Sequence, residues 1–408
     1  MRALLSFCAA AFLSLTACAA EPKEEPVDDE AAALAKCGGK RNELVVWAPS
    51  GGHLELLDQL AKDANCTDYY VVMPLTVGDK TELHPDIAAQ LARLRARGPS
   101  FHAVAEFHWT SWRKWVDAGP GRTWEGAGRE MRRRMDVAGF VVGAGATDSW
   151  FVQEVPSTIV VGNDETSAAV VRANVSAATK GLFEGGKFSG KMGGAMRVGS
   201  GHDITAAEEP TVAVAKSRLK AFLQDDTFWS AMNRTLRWWS DEVYVEPEHA
   251  CVGDVQIGAR AKSINAYAFR IVSLADAGGA ETRTARAFLR RTYTPLMNGT
   301  FGLPRDNGYG ETRVPLATME AFLPLEIYAA GAYAASHDMG GTRIGFAWVP
   351  GQDPDVRARM GTAAANALDR TFARGAAFAC SPTGTFQACG CAVSGATLEG
   401  AWSAFESW

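Results

Sequence analysis

The sequence predicts an α/β protein built on a parallel sheet, and two observations carry that prediction. Short apolar runs of strand character alternate with longer runs of helical periodicity along most of the chain, an order that covers both faces of a parallel sheet with helices. Turns bearing glycine or proline punctuate the alternation. Two architectures satisfy it: a closed (β/α)8 barrel of the TIM type and an open doubly wound sheet. Ser50-Gly51-Gly52, which follows the first strand, is a plain turn and not the glycine-rich phosphate loop of a dinucleotide-binding open sheet. The barrel is therefore the expected fold, as a single domain over residues 41–380, with the open sheet as the alternative.

Each element rests on its own pattern. Residues 43–47 form the first strand, and Leu54, Leu57, Leu60, Ala61 and Ala64 mark one face of the helix after it. Residues 69–75 are the second strand. Pro85 suits the first turn of the next helix, Ile87, Leu91 and Leu94 keep helical spacing, and Gly98 stops it. Residues 101–107 are the third strand. An arginine-rich segment, 129–134, leads to two strand candidates, 137–142 and 151–155. Asn163 or Asp164 caps a long helix reaching about Phe183. A strand at 195–198 precedes helical patterns over 210–223 and 228–239, and 242–246 alternates as a strand does. Helices are expected over 255–276 and 281–293, which leaves 251–341 without an obvious strand. Residues 314–336 are apolar enough to raise the question of a membrane span, but Glu320, Pro324 and Glu326 make a buried helix the better reading. The last strand is 343–349. Asp353-Pro354 opens a final helix with Val356, Met360, Ala364, Leu368 and Phe372 on one stripe.

The first eighteen residues carry an address. Arg2 gives a positive start, residues 3–13 are an apolar run too short for a permanent span, and Leu15-Thr16-Ala17 leads directly into Cys18. This resembles the signal of bacterial lipoproteins, which implies a signal peptide over 1–17, lipid on Cys18, and a mature chain attached to membrane. No aspartate follows Cys18, so the outer membrane is the expected location, facing the periplasm or the cell surface. Residues 18–40 are expected to be an acidic tether, since 21–30 holds six acids and one lysine.

A net charge of −5 argues against a nucleic-acid partner. With Cys8 in the signal and Cys18 lipidated, six cysteines remain: Cys37, Cys66, Cys251, Cys380, Cys389 and Cys391. An even number in an exported chain makes disulfides the default. Closeness in sequence favours Cys37 with Cys66, and Cys380 with Cys389 or Cys391, the last two in a Cys-containing tail over 381–408. A metal knuckle at Cys380, Cys389 and Cys391 is the lesser alternative, and no metal or other cofactor is expected.

In a barrel the active site lies at the carboxyl ends of the strands. There this chain places carboxylates and tryptophans: Trp47, Glu106-Phe107-His108-Trp109, Trp150 and Glu154, Glu242 and Tyr244, and Trp348. Glycoside hydrolysis uses two carboxyl groups, one to protonate the leaving oxygen and one to attack or to activate water. Flat aromatic rings stack on sugars. Gln153-Glu154-Val155-Pro156 resembles the asparagine-glutamate-proline context of the acid/base residue on the fourth strand of barrel glycoside hydrolases, with glutamine for asparagine and an extra valine. That resemblance implies Glu154 as general acid/base and Glu242, or Glu246, as nucleophile. Trp47, Glu106, His108, Trp109, Trp150, Tyr244 and Trp348 would then bind a glycan substrate. A non-catalytic surface lipoprotein holding a glycan or a protein partner on the same scaffold is the alternative. His102, His108 and His202, with Asp203 and Glu106, lack a recognised metal-ligand spacing, and no serine nucleophile elbow is present.

Overall fold

The computed structural model describes residues 42–47, 67–77, 82–142, 148–155, 165–183, 194–198, 220–243, 278–292, 296–298, 343–347, 385–388 and 391–394, with positions 146, 275, 359 and 362. The chain is a mixed α/β protein on a parallel sheet. In order it forms β1 (Asn42–Trp47), β2 (Thr67–Pro74), α1 (Ile87–Arg95), β3 (Phe101–His108), α2 (Trp109–Asp117), α3 (Trp124–Val137), β4 (Ser149–Val155), α4 (Glu165–Phe183), β5 (Gly194–Val198), α5 (Asp226–Thr235), β6 (Leu236–Val243), α6 (Arg283–Thr292), β7 (Leu296–Asn298), β8 (Arg343–Ala347), β9 (Thr385–Ala388) and β10 (Cys391–Ser394). The ladder β1–β2–β3–β4 is its best-developed part, with registers such as Val45↔Tyr70, Tyr70↔His102 and Glu106↔Phe151. Strands β5 to β8 each pair in parallel with the strand before, and β8 also pairs with β1. Strands β9 and β10 form a separate antiparallel hairpin with two residues between them.

The middle of the strands is apolar and buried on both faces, and the helices cover one of them. Leu44, Val46, Tyr69, Val71, Met73, Phe101, Ala103, Ala105, Phe107, Trp150 and Val152 are all buried, and rings on this face meet the helices. Phe107 lies 5.0 Å from Trp112 of α2, and Trp239 packs on Phe228 and Trp229 of α5 and on Phe288 of α6. Trp239 burial joins β6 to two helices at once, and such clusters of large rings dominate core energetics.

Two expected elements come out differently. Residues 137–142 do not pair as a strand. Val137 ends α3, Gly139 takes a left-handed φ of +90°, and the Phe140 amide donates back to the Met135 carbonyl, a helix-ending motif that uses the residues read as a strand. The helical pattern over 228–239 stops at Thr235, and Leu236 already has extended backbone. Its last residues begin β6, six positions before the strand expected at 242–246. The segment 251–341 does contain a strand, the three-residue β7, too short to leave a period in sequence. The helices expected over 54–64, 255–276 and 314–336 and after 353, and most of the one over 210–223, lie outside the described residues.

Helices α3 and α4 touch backbone to backbone through two glycines. A Cβ on Gly128 would sit 2.0 Å from the Ala178 carbonyl oxygen, and one on Gly181 would sit 2.0 Å from that of Glu125. Neither obstacle is a side chain that can swing aside. Gly128→Ala or Gly181→Ala is therefore expected to force the helices apart and to destabilise the fold by about 1–3 kcal/mol or somewhat more, read as a lowered denaturant midpoint. An unchanged midpoint would mean that these helices are not in this contact.

Candidate active site

Successive residues of a strand face opposite sides of the sheet, so the face of one residue fixes the face of its neighbours. Across from the helices, the second face begins with Glu43 and Val45 on β1, Asp68, Tyr70 and Val72 on β2, and His102, Val104 and Glu106 on β3, which the register sets side by side. Continued along β3 and across to β4 it takes in His108, Ser149, Phe151 and Gln153. Strict alternation would assign Glu154 to the helix side, against Val152.

A bulge changes that assignment. Val152 opposes Met196 and Val155 opposes Val198, so three steps on β4 match two on β5. Val152 and Val155, both fully buried, stay on the helix side. Between those pairs, Gln153 and Glu154 on β4 stand against the single position of Arg197 on β5 in backbone register. Strand β6 is bulged as well. Leu236 opposes Gly194 while Trp238 opposes Ala195, leaving Arg237 as the extra residue. That insertion shifts the phase after it, so Trp238 belongs to the second face and Trp239 to the helices. Of the two carboxylates singled out in the sequence, Glu154 stands at the irregularity in β4 and Glu242 on β6 beyond the extra residue; the side chains of both lie outside the described residues.

The contacts around β6 bear out the phase. Arg237 forms an ion pair with Glu43. The Trp238 indole donates to the other carboxylate oxygen of Glu43 at 3.1 Å, and both reach a strand far away in sequence. Arg237 also covers the rings of Tyr70 at 4.9 Å and Trp238 at 5.2 Å, and Tyr70 stacks on His102, whose Nε2 lies 3.4 Å from Asp68. Burial works against the Arg237 charge, but attraction and hydrogen bonding from Glu43 outweigh it and hold the guanidinium above its ordinary value. This cluster occupies the amino ends of β1, β2, β3 and β6, remote along the strands from Glu106, His108, Glu154 and Glu242 near the carboxyl ends.

The other expected site residues divide. Glu106 is buried and His108 is half-buried on the second face. Trp47 ends β1 in backbone register with Val72 and Ala347, and its side chain lies outside the described residues. Trp109 and Trp150 do not belong with them. Trp109 is 4% exposed, stacked 4.4 Å from Trp124, and Trp150 is 1% exposed on the helix side, in register with Ala105. Both are core residues, because a position near a strand end does not determine the face. Asp148, just before β4, is likewise structural: it accepts from Arg95 and from the Val141 amide, both at 2.8 Å. Among the described residues no three His, Cys, Asp or Glu side chains are grouped to hold a metal ion. Tyr244, Trp348, Glu246, His202, Asp203, Cys18, Cys37, Cys66, Cys251, Cys380 and Cys389 lie outside the described residues, and Cys391 is described only as the first residue of β10. Arg197 and Arg237 escaped the sequence reading, since only the bulges bring them into play.

Replacing one member of the Glu43–Arg237 pair takes the direct counter-ion from a largely buried charge, leaving it neutral contacts named above, such as the Trp238 indole for Glu43 or the ring faces for Arg237. Glu43→Gln or Arg237→Met is expected to cost about 3 kcal/mol, and the double replacement Glu43→Leu/Arg237→Met to recover most of that loss. Additive losses in the double variant, measured by denaturant unfolding, would show that the two residues do not act as a pair.

The sequence matches no protein-family model and no curated protein.

Proposed function

We propose that this chain is an outer-membrane-anchored lipoprotein whose (β/α)8 barrel binds and hydrolyses a glycan through the paired carboxylates Glu154 and Glu242. The observation that carries the proposal is the break in register on either side of β5, which falls at Glu154 on β4 and before Glu242 on β6, both near the carboxyl ends of their strands. Bulges cluster beside active sites, where they re-aim a side chain, and a glycosidase needs two carboxyl groups on one surface, separately tuned.

The barrel reading has quantitative support. From Val45 the pairings lead through Tyr70 to His102, and, four residues up β3, from Glu106 through Phe151 and Ala195 to Trp238. Four residues up β6, Glu242 leads through Leu296 and Gly345 back to Val45. The stagger of eight residues over eight strands is the shear of a TIM barrel. On that geometry each step round the ring lowers a residue by one position along the axis. Glu154 and Glu242 then share a layer, with Arg197 on the strand between them and one position lower, level with Glu106 and Trp47.

Attachment through lipid on Cys18 rests on the leader sequence. Among the described residues no helix is long and apolar enough to cross a membrane, and a lipid anchor requires none. Cys18→Ala is expected to move the protein from the membrane fraction to the soluble one; retention in the membrane would remove the anchor.

Hydrolysis is tested on a panel of envelope and extracellular polysaccharides by release of reducing ends. Glu154→Gln and Glu242→Gln are each expected to lower turnover by about 10²–10⁴-fold with the unfolding midpoint preserved. Undiminished turnover in either variant would dismiss that residue. Binding without hydrolysis across the panel would favour a glycan-holding lipoprotein on the same scaffold. For an active enzyme, a carboxyl separation of about 5 Å goes with retention and about 6.5–9.5 Å with inversion at the anomeric carbon.

A further inference from the structure

Helix α2 continues β3 without a break, so Trp109 stands one residue past His108 at the carboxyl end of the sheet. The Trp109 ring is 4% exposed and belongs to the core. Trp124, the first residue of α3, lies flat against it, with ring centroids 4.4 Å apart and planes within 16° of parallel, and is only half-buried. The stack therefore has an inner and an outer member. Among the described residues no second ring or cation covers Trp124, and its indole N–H has no hydrogen-bond partner. The ring is held rigidly all the same. The Thr123 hydroxyl accepts from the Gly126 amide at 3.1 Å and caps α3. Arg122 covers the Trp115 ring at 4.7 Å and donates to the Trp115 carbonyl at 3.0 Å, and that ring lies over Gly126, where a Cβ would meet it at 3.2 Å. The turn between α2 and α3 is thus tied to both helices beside Trp124. Glu125, next to it, is matched by Arg129 and Lys180, and Arg113 of α2 by Asp117.

From this placement we infer that Trp124 is a stacking subsite for a sugar ring of the glycan, at the edge of the carboxyl-end face, a role that presupposes the glycan reading above. It takes the part that the sequence suggests for Trp109. An indole offers a flat apolar face with a polar N–H at its rim, and tryptophan is favoured where one side is packed and the other wet. A sugar ring has the complementary form, with C–H groups on its faces and hydroxyls around its edge. Trp109 and the capped turn order the platform before binding, so little conformational entropy is lost when a ligand arrives. With the carboxylate beside it matched by cations, the surface suits a neutral sugar better than a membrane of anionic lipid, which calls for a cluster of unmatched basic residues.

The test reads Trp124 itself, through its indole N–H resonance in the isotope-labelled full chain, assigned by its loss in Trp124→Tyr. Soluble cello-, malto- and chito-oligosaccharides are added, and binding is measured in parallel by calorimetry. An oligosaccharide that binds should move the Trp124 resonance. Trp124→Ala should weaken that binding about tenfold, and Trp124→Tyr, which keeps a flat ring, should weaken it much less. Binding that leaves the Trp124 resonance in place, or undiminished affinity in a folded Trp124→Ala variant, overturns the subsite while the glycan reading stands. Binding of none of the oligosaccharides defeats both. A resonance that moves with vesicles of anionic lipid and not with sugars overturns the subsite in favour of a membrane contact. The resonance in the unaltered protein is decisive if Trp124→Ala does not fold.

Discussion

The whole arrangement depends on the pleat of the β-strand. Side chains alternate with a period of two, so each strand has two possible identities according to which set of residues meets the helices. Strands β1 to β3 hold one phase throughout. Beyond them the phase is altered twice, at Gln153–Glu154 and at Arg237, and every assignment of residues to core or second face on β4 and β6 follows from those two places. The packing agrees with the altered phase. Trp239 is fully buried among Phe228, Trp229 and Phe288, while its neighbour Trp238 bonds to Glu43 of β1. A regular strand delivers consecutive tryptophans to opposite sides; what the bulge decides is which one goes where.

The amino and carboxyl ends of the sheet handle charge differently. At the amino end Arg237, Glu43, Tyr70 and Trp238 form a largely buried cluster in which hydrogen bonds and ring faces compensate the guanidinium for lost water. Such a cluster is saturated and suits a structural part. At the carboxyl end, among the described residues, buried Glu106 and half-buried His108 share the second face, and titratable groups gathered there suit chemistry more than support. Helices α3 and α4 pack against each other, held at backbone contact by Gly128 and Gly181 and tied across by Lys180 and Glu125.

How much of this was legible in the sequence depends on the length over which a signal repeats. The strands at 43–47, 69–75, 101–107 and 151–155 were readable because several consecutive residues alternate or are uniformly apolar, and their observed bounds differ by only a residue or two. The helix at 87–94 carried both its period and its glycine stop. The helix-to-strand switch at Thr235–Leu236 was not readable, because Phe228, Trp229, Met232, Trp238 and Trp239 continue a plausible helical stripe through the boundary. Strand β7 has three residues and no period at all. Glu106, Glu154 and Glu242 are readable as carboxylates near strand ends, yet the register around the last two is broken by bulges, which no pattern of residue types announces. Trp109 and Trp150 fail for the same reason, since strand-end position was taken for exposure.

A bulge is one inserted residue, and its effect depends on how it is removed. Leu236 opposes Gly194 and Trp238 opposes Ala195 on either side of Arg237, so deleting Arg237 would join residues already in register and leave Trp238 and Trp239 on the faces they hold. Flattening the bulge at unchanged chain length would instead transpose them, setting Trp238 against the helices and Trp239 on the second face. At this position the phase of the strand is set by the local kink and not by the length of the chain.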